Sequence, residues 1–285
     1  MKHIYFILLF IFFNSQPFSF TSCYTGNDSI APEKIYRYYA GEANGYKVWI
    51  VDGFNIRTNI FGEFIYGGNS ARYPFIPVGE IWIDNAISAN EYITTLEHEI
   101  NECNLMYHNN MDYYDAHDSS LSLELKIRQD NYLFSRDHES NLSMVSPLDF
   151  DSVKEISSLN DKIKLKNVYI NKLISDNGFD IWIVEGYNIR KSIYPDFGFS
   201  GNYSAYMFIP KNEIWIDGNV SCEEIWYSID LEENESILMN SGVMYDAAYG
   251  EGLKKMTEKR RSDQKYIRSM PYLKYMDPLF RDKVK

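Results

Sequence analysis

Three cysteines in 285 residues, Cys23, Cys103 and Cys222, leave no basis for a disulfide framework. Basic runs are missing as well. The chain carries 28 Lys and Arg against 40 Asp and Glu, a net charge of −12, and its densest basic stretch, Lys254 to Arg261, is interrupted by Met, Thr and Glu. Phosphate backbones are bound by clustered cations, so a nucleic-acid partner is excluded. Long apolar runs are also absent beyond Ile4 to Phe13. Ten residues of helix cover only about half of a bilayer's hydrocarbon core, which excludes a permanent transmembrane span.

What the N-terminus does have is the grammar of export. Lys2 and His3 precede the apolar run, which leads to Phe20-Thr21-Ser22-Cys23. This resembles the lipobox of bacterial lipoproteins, in the permissive Thr-Ser-Cys form. The resemblance implies a signal peptide over 1–22, lipidation of Cys23, an anchor segment over 23–31, and attachment to a bacterial membrane in the cell envelope. A plain secretory signal and a secreted soluble protein is the alternative.

The remaining chain says nearly the same thing twice. Trp49-Ile50-Val51-Asp52-Gly53-Phe54-Asn55-Ile56-Arg57 returns as Trp182-Ile183-Val184-Glu185-Gly186-Tyr187-Asn188-Ile189-Arg190. Phe75-Ile76-Pro77 through Asp84 returns as Phe208-Ile209-Pro210 through Asp217, at the same offset. The expected division is module 1 over 32–129, a Ser-, Asn- and Asp-rich linker over 130–164, a degenerate module 2 over 165–262 and a tail over 263–285.

Each module is expected to be α+β, a small antiparallel sheet of about four strands followed by two helices. Asn44-Gly45 and Asn177-Gly178 sit between strand-like runs, the strongest short-range hairpin signal. A short helix or turn is expected at Asn55 to Arg57, then a Gly- and aromatic-rich loop from Phe61 to Arg72. A second hairpin is expected from Phe75-Ile76 through Pro77-Val78-Gly79 into Ile81-Trp82-Ile83. Ser88-x-x-Glu91 and Ser221-x-x-Glu224 read as capping boxes opening helices. Ile93, Leu96, Ile100 and Cys103 recur at helical spacing to about Tyr107, and a second helix follows from near Asp112 to Gln129. The paired Trp49/Trp182 and Trp82/Trp215 read as strand and core residues.

The chemistry-bearing residues lie on those two helices of module 1. His98 and Glu102 are four apart and share a face, with Glu99 beside them; His117 and Glu124 are seven apart and share a face of the next helix. Two histidines and a carboxylate with an open position form the ligand set of many catalytic zinc sites. His98-Glu99-x-x-Glu102 resembles the His-Glu-x-x-His of zinc metallopeptidases. That resemblance implies His98, His117 and either Glu102 or Glu124 as zinc ligands and Glu99 as general base. The longer pattern, the Phe-Ile-Pro-x-x-Glu-Ile-Trp-Ile-Asp segment followed by these helices with Tyr114-Asp115-Ala116-His117 and Glu124, is similar to an uncharacterised family of bacterial and phage genomes. That likeness implies a fold and repeat boundaries but no activity.

In the second copy, a short gap in the helix-connecting loop puts Leu231 at the place of His98, Ala248 at that of His117 and Lys255 at that of Glu124. Glu232, Glu235 and Arg190 persist. Three readings follow: Arg57 pairs with Glu99 or Glu102 and the histidines are structural; the cluster holds a metal; or it catalyses without one. His108 and His138 read as solvated. Nothing identifies a substrate and one copy of the motif is dispensable to the fold, so a membrane-anchored surface module binding a protein or glycan is the leading functional expectation. The alternative is a zinc-dependent, peptidase-like hydrolase with its site in module 1 only.

Overall fold

The computed structural model describes residues 35–129 and 168–268, with side chains up to residue 263. The export segment, Cys23, His138 and the linker lie outside the described residues. No described helix is long and apolar enough to cross a membrane.

Module 1 runs β1 (Tyr36–Ala43), β2 (Tyr46–Val51), α1 (Gly53–Asn59), β3 (Gly67–Asn69), β4 (Glu80–Asp84), α2 (Ala89–Asn109) and α3 (Tyr113–Gln129). Module 2 repeats it as β5 (Tyr169–Asp176), β6 (Phe179–Val184), α4 (Gly186–Ser192), β7 (Ser200–Asn202), β8 (Glu213–Asp217), α5 (Cys222–Asn240) and α6 (Tyr245–Arg268). The last helix therefore continues past residue 262 into the expected tail.

Each sheet has four strands, ordered β1-β2-β4-β3 and β5-β6-β8-β7. The first hairpins form as expected. Asn44 and Gly45 take φ of 50° and 83°, and Asn177 and Gly178 take 47° and 87°, the positive pair that a tight two-residue turn requires. The sheets are mixed, however: β2 and β4 run parallel, because α1 carries the chain back across one face of the sheet. Alternate residues of the central strands therefore meet different layers. Val48, Ile50, Ile81 and Ile83 pack with Leu96, Ile100 and Cys103 of α2, while Val51 and Trp82 pack with Ile56 of α1 and with Phe61, Phe64 and Ile76.

The second hairpin is not where the sequence placed it. Phe75 and Ile76 lie in turns, and the partner of β4 is Gly67–Asn69. Glycine-rich segments carry little strand propensity, but here the missing side chains are the reason for the pairing. A Cβ on Gly67 would sit 2.9 Å from the Trp82 carbonyl and from Thr95 of α2, and one on Gly68 would sit 2.7 Å from the Tyr73 ring. Phe75 instead joins an aromatic layer, stacked on Tyr73 at 5.2 Å and packed on Trp82 at 6.0 Å.

The modules pack against each other by reciprocal contacts. Ile87 and Val220 form an antiparallel bridge, flanked by Ser88 N–H donating to Asn219 O at 2.9 Å and Ser221 N–H donating to Ala86 O at 2.8 Å. Phe199 and Val220 of module 2 enter the core of module 1. This interface also corrects the capping boxes. The helices do begin after Ser88 and Ser221, but neither serine side chain caps: the Glu91 and Glu224 N–H groups donate to the serine carbonyls at 3.1 and 3.0 Å, and the serine N–H that each glutamate would satisfy is taken by the other module.

The freed glutamates turn inward to arginines. Glu91 accepts from Arg128 of its own module at 2.5 Å and from Arg190 of module 2 at 2.6 Å; Glu224 accepts from Arg260 of its own module and from Arg57 of module 1 at 2.8 Å. Arg57 and Arg190 also bind Asp84 and Asp217 at the ends of β4 and β8. The pairing of Arg57 with Glu99 or Glu102, on which one of the three readings depended, does not form, and Arg190 likewise bonds Glu91 and Asp217. Both arginines are spent on the joint between modules.

Candidate functional site

Helices α2 and α3 form an antiparallel hairpin closed at Asn110, which adopts the left-handed conformation with φ of 52°. The hairpin brings His98 and Glu102 of α2 against His117 and Glu124 of α3. His98 Nε2 lies 3.1 Å from His117 Nδ1, His117 Nδ1 lies 3.0 Å from Glu102 Oε2, and His98 Nε2 lies 3.5 Å from the same oxygen. Three atoms at the corners of a tetrahedron around zinc, with bonds of about 2.0–2.1 Å, are separated by about 3.3 Å. His98, Glu102 and His117 thus form a triad whose ligand atoms fit around one ion.

Each member is held by a further contact. Asn69, the last residue of the glycine strand β3, donates one amide hydrogen to Glu99 Oε2 at 2.9 Å and the other to Glu102 Oε1 at 2.8 Å. That fixes Glu102 with Oε2 facing the histidines. Glu124 does not join the triad. Its Oε2 lies 3.1 Å from His98 Nδ1, the nitrogen turned away from the centre, while its Oε1 accepts from Arg128 Nε at 3.1 Å. A carboxylate placed against the outer nitrogen in this way can fix the tautomer and ring angle of its histidine. Tyr113, one turn before His117, stacks on its ring at 5.3 Å.

The electrostatics are those of buried histidines paired with buried carboxylates. Burial would lower the His98 pKa, but hydrogen bonds to Glu102 and Glu124 hold it well above the ordinary imidazole value. Burial opposes charge on His117 too, yet Asp196 and Glu102 raise it to about 9. Glu102 and Glu124 are held below the usual carboxylate range in spite of burial, the first by the two histidines and the second by Arg128 and His98. Glu99 moves the other way, up to about 7, because it is buried beside the charge of Glu102.

A cavity of about 340 Å³ opens beside the triad. Its walls include Thr95, Glu99 and Tyr73 of module 1, and Asp196, Phe197 and Tyr206 of module 2. The site therefore lies at the joint between the modules, with His117 the more exposed of the two histidines. His108 is exposed, away from the cluster.

Module 2 offers the same frame without the triad. Ala116 and Ala248 are both fully buried at the start of the second helix, and Arg128 and Arg260 both reach the buried interface glutamate. These anchors correct the alignment across the loop: His117 corresponds to Tyr249 and Glu124 to Met256, while Lys255 sits on the surface and bonds Asn234. Leu231, Tyr249 and Met256 belong to an apolar cluster with Leu253 and Tyr227. The glutamate pair nevertheless remains. Asn202 bonds Glu232 and Glu235 at 2.7 Å each, as Asn69 bonds Glu99 and Glu102.

Two residues of the site lay outside the sequence reading. Asn69 had a signal, since Gly67-Gly68-Asn69 returns as Ser200-Gly201-Asn202, but the segment read as loop. Asp196 had none, because its contact to the site crosses between modules. No protein-family model, curated protein or solved structure matches the chain.

Proposed function

We propose that the chain is a metal-dependent hydrolase, zinc being the ion the donor set fits, with its centre in module 1 at His98, Glu102 and His117. The observation that carries this reading is the convergence of two imidazole nitrogens and one carboxylate oxygen, each oriented by a separate contact, at the edge of a cavity. Two nitrogens and one oxygen leave a coordination position free, the arrangement of catalytic rather than structural zinc. A zinc ion held there would supply an acidified water and a Lewis acid for a carbonyl group.

The protein's own residues divide the rest of the work. Glu124, anchored by Arg128, keeps His98 Nε2 unprotonated toward the centre by accepting from Nδ1–H. Asn69 holds Glu102 to one ligand oxygen. Glu99 shares that amide from outside the triad and faces the cavity, the position for a general base that takes a proton from water and returns it to the leaving group. Peptide-like amides are the proposed substrates, as the likeness of His98-Glu99-x-x-Glu102 to metallopeptidases implies. Glu99→Gln should retain zinc and lose at least about 100-fold in turnover of a peptide library by the zinc-loaded protein. Equal turnover by both proteins would refute the assignment.

A second reading, a surface module that binds a protein or glycan from a lipid anchor on Cys23, draws support from the outer edge strands. β1 and β5 expose Tyr38 and Tyr39, and Ile170, Leu173 and Ile174. The two readings are compatible, since those edges and the cavity involve different residues.

A further inference from the structure

The cavity of module 1 is closed in part by module 2, and the contact that does so has a mirror image. The loop after α1 carries Glu63, and the loop after α4 carries Asp196 at the repeated position. Each carboxylate reaches out of its own module to the second helix of the other. Glu63 faces Tyr249 of α6 across one cavity, and Asp196 Oδ1 lies 3.7 Å from His117 Nε2 of α3. Tyr249 and His117 occupy equivalent places. The reach across is thus a property of the paired architecture, and only in one direction does it end on a ligand of the triad.

The loop that carries Asp196 is pinned. Arg190 donates to the carbonyl of the adjacent Phe197 at 2.9 Å and is itself held by Glu91 of module 1 at 2.6 Å. Arg57 holds the mirror loop in the same way, donating to Phe64 O at 2.7 Å. Asp196 therefore stands at a fixed place relative to α3. His117 needs such a partner: it faces the triad through Nδ1, which leaves Nε2 as its outer nitrogen. His98 has its outer carboxylate, Glu124, from its own module. From module 1, His117 has Glu102 and His98 at Nδ1 and the stacked Tyr113 ring.

We propose that Asp196 is a positioning residue of the metal centre, its carboxylate standing at ion-pair distance from His117 Nε2 and closing on Nε2–H when a metal is held, so that module 2 becomes part of the module 1 site. The proposal rests on the metal reading above. It gives a copy without histidines of its own a part in the site: its loop completes the centre of the other module. A carboxylate on the outer nitrogen of a ligating histidine holds the ring in register and raises its basicity, and losing one costs about 10- to 100-fold in metal affinity.

The test uses the full-length protein, wild type and the variants Asp196→Ala, Asp196→Asn and Asp196→Glu, with Glu63→Gln as the mirror control. Zinc affinity is measured by competition with a chromophoric chelator, and ligand geometry by the visible spectrum of the cobalt-loaded protein. Asp196→Ala and Asp196→Asn should bind zinc about 10- to 100-fold more weakly with a shifted cobalt spectrum. Asp196→Glu should recover most of that affinity, and Glu63→Gln should stay close to wild type. The Asp196 side chain is 55% exposed, so the unfolding midpoint should not move. Wild-type affinity and an unchanged cobalt spectrum in Asp196→Ala would overturn the proposal while leaving the metal site standing. A wild-type protein that binds no zinc would overturn both.

Discussion

Module 1 and module 2 keep the same interface arginines and the same glutamate–asparagine clasp, but where module 1 sets His98, His117 and Glu124, module 2 sets Leu231, Tyr249 and Met256. The shared parts are what the fold and the joint require. Around the histidines the modules differ in three side chains that stand in one place, and their counterparts in module 2 belong to an apolar cluster. The duplicated chain thus separates the polar residues that both modules keep from those that module 1 alone carries. Glu99 and Glu102 have structural counterparts in Glu232 and Glu235, whereas the histidines have none.

Erasing the difference gives the largest expected effect. The triple variant His98→Leu, His117→Tyr, Glu124→Met gives module 1 the residues of module 2, and bound zinc should disappear entirely by elemental analysis. Its thermal midpoint should hold or rise, because replacing a buried charged cluster by packed apolar groups is neutral or stabilising by about 1–4 kcal/mol. Collapse of the fold would show that the cluster is structural instead.

The shared joint should respond alike from both sides. Glu91→Ala and Glu224→Ala each remove the buried carboxylate that joins an arginine of one module to an arginine of the other, and each should cost about 3–5 kcal/mol in denaturant unfolding. A loss confined to one of them would break the reciprocity of the interface.

The asparagine clasp sharpens the contrast at a smaller scale. Asn69→Ala and Asn202→Ala each leave a buried glutamate pair without its amide donor, at about 1–3 kcal/mol of stability. Only Asn69→Ala should also weaken zinc binding, because only its glutamate is a ligand. Equal zinc affinity in the two variants would remove Glu102 from the centre.

Acid should produce the mildest effect. Burial disfavours charge on Glu224, but Arg260 and Arg57 lower its pKa to about 2, from 4.5 for an unpaired glutamate. A depressed pKa means stability that is fully present above about pH 4.5 and is lost as the pH falls toward 2. Glu224→Gln should flatten that part of the stability–pH curve, read by thermal melts between pH 5 and 2.

Much of this arrangement was legible in the sequence, where the signals are local. The duplication, the Asn-Gly turns and the helix pair follow from spacing and turn chemistry. The common face of His98 and Glu102, and that of His117 and Glu124, follow from helical periodicity. Contacts between elements remote in sequence were not legible. Strand β3 hides because glycine carries no strand signal, and its reason is the close approach of Trp82, Thr95 and Tyr73. Arg57 and Arg190 were matched with the wrong glutamates because no periodicity records a partner in the other module. The equivalence of His117 with Tyr249 depended on where one loop residue was lost, which only the buried Ala116/Ala248 and Arg128/Arg260 pairs fix.

The central claim is one metal centre in a protein with two nearly equal frames. Its most direct test is the zinc content of the full-length protein purified without chelator, measured beside the His98→Ala, His117→Ala double variant. One zinc per chain in the wild type and none in the double variant is the predicted result. No zinc in the wild type, or zinc retained after both histidines are removed, would contradict it.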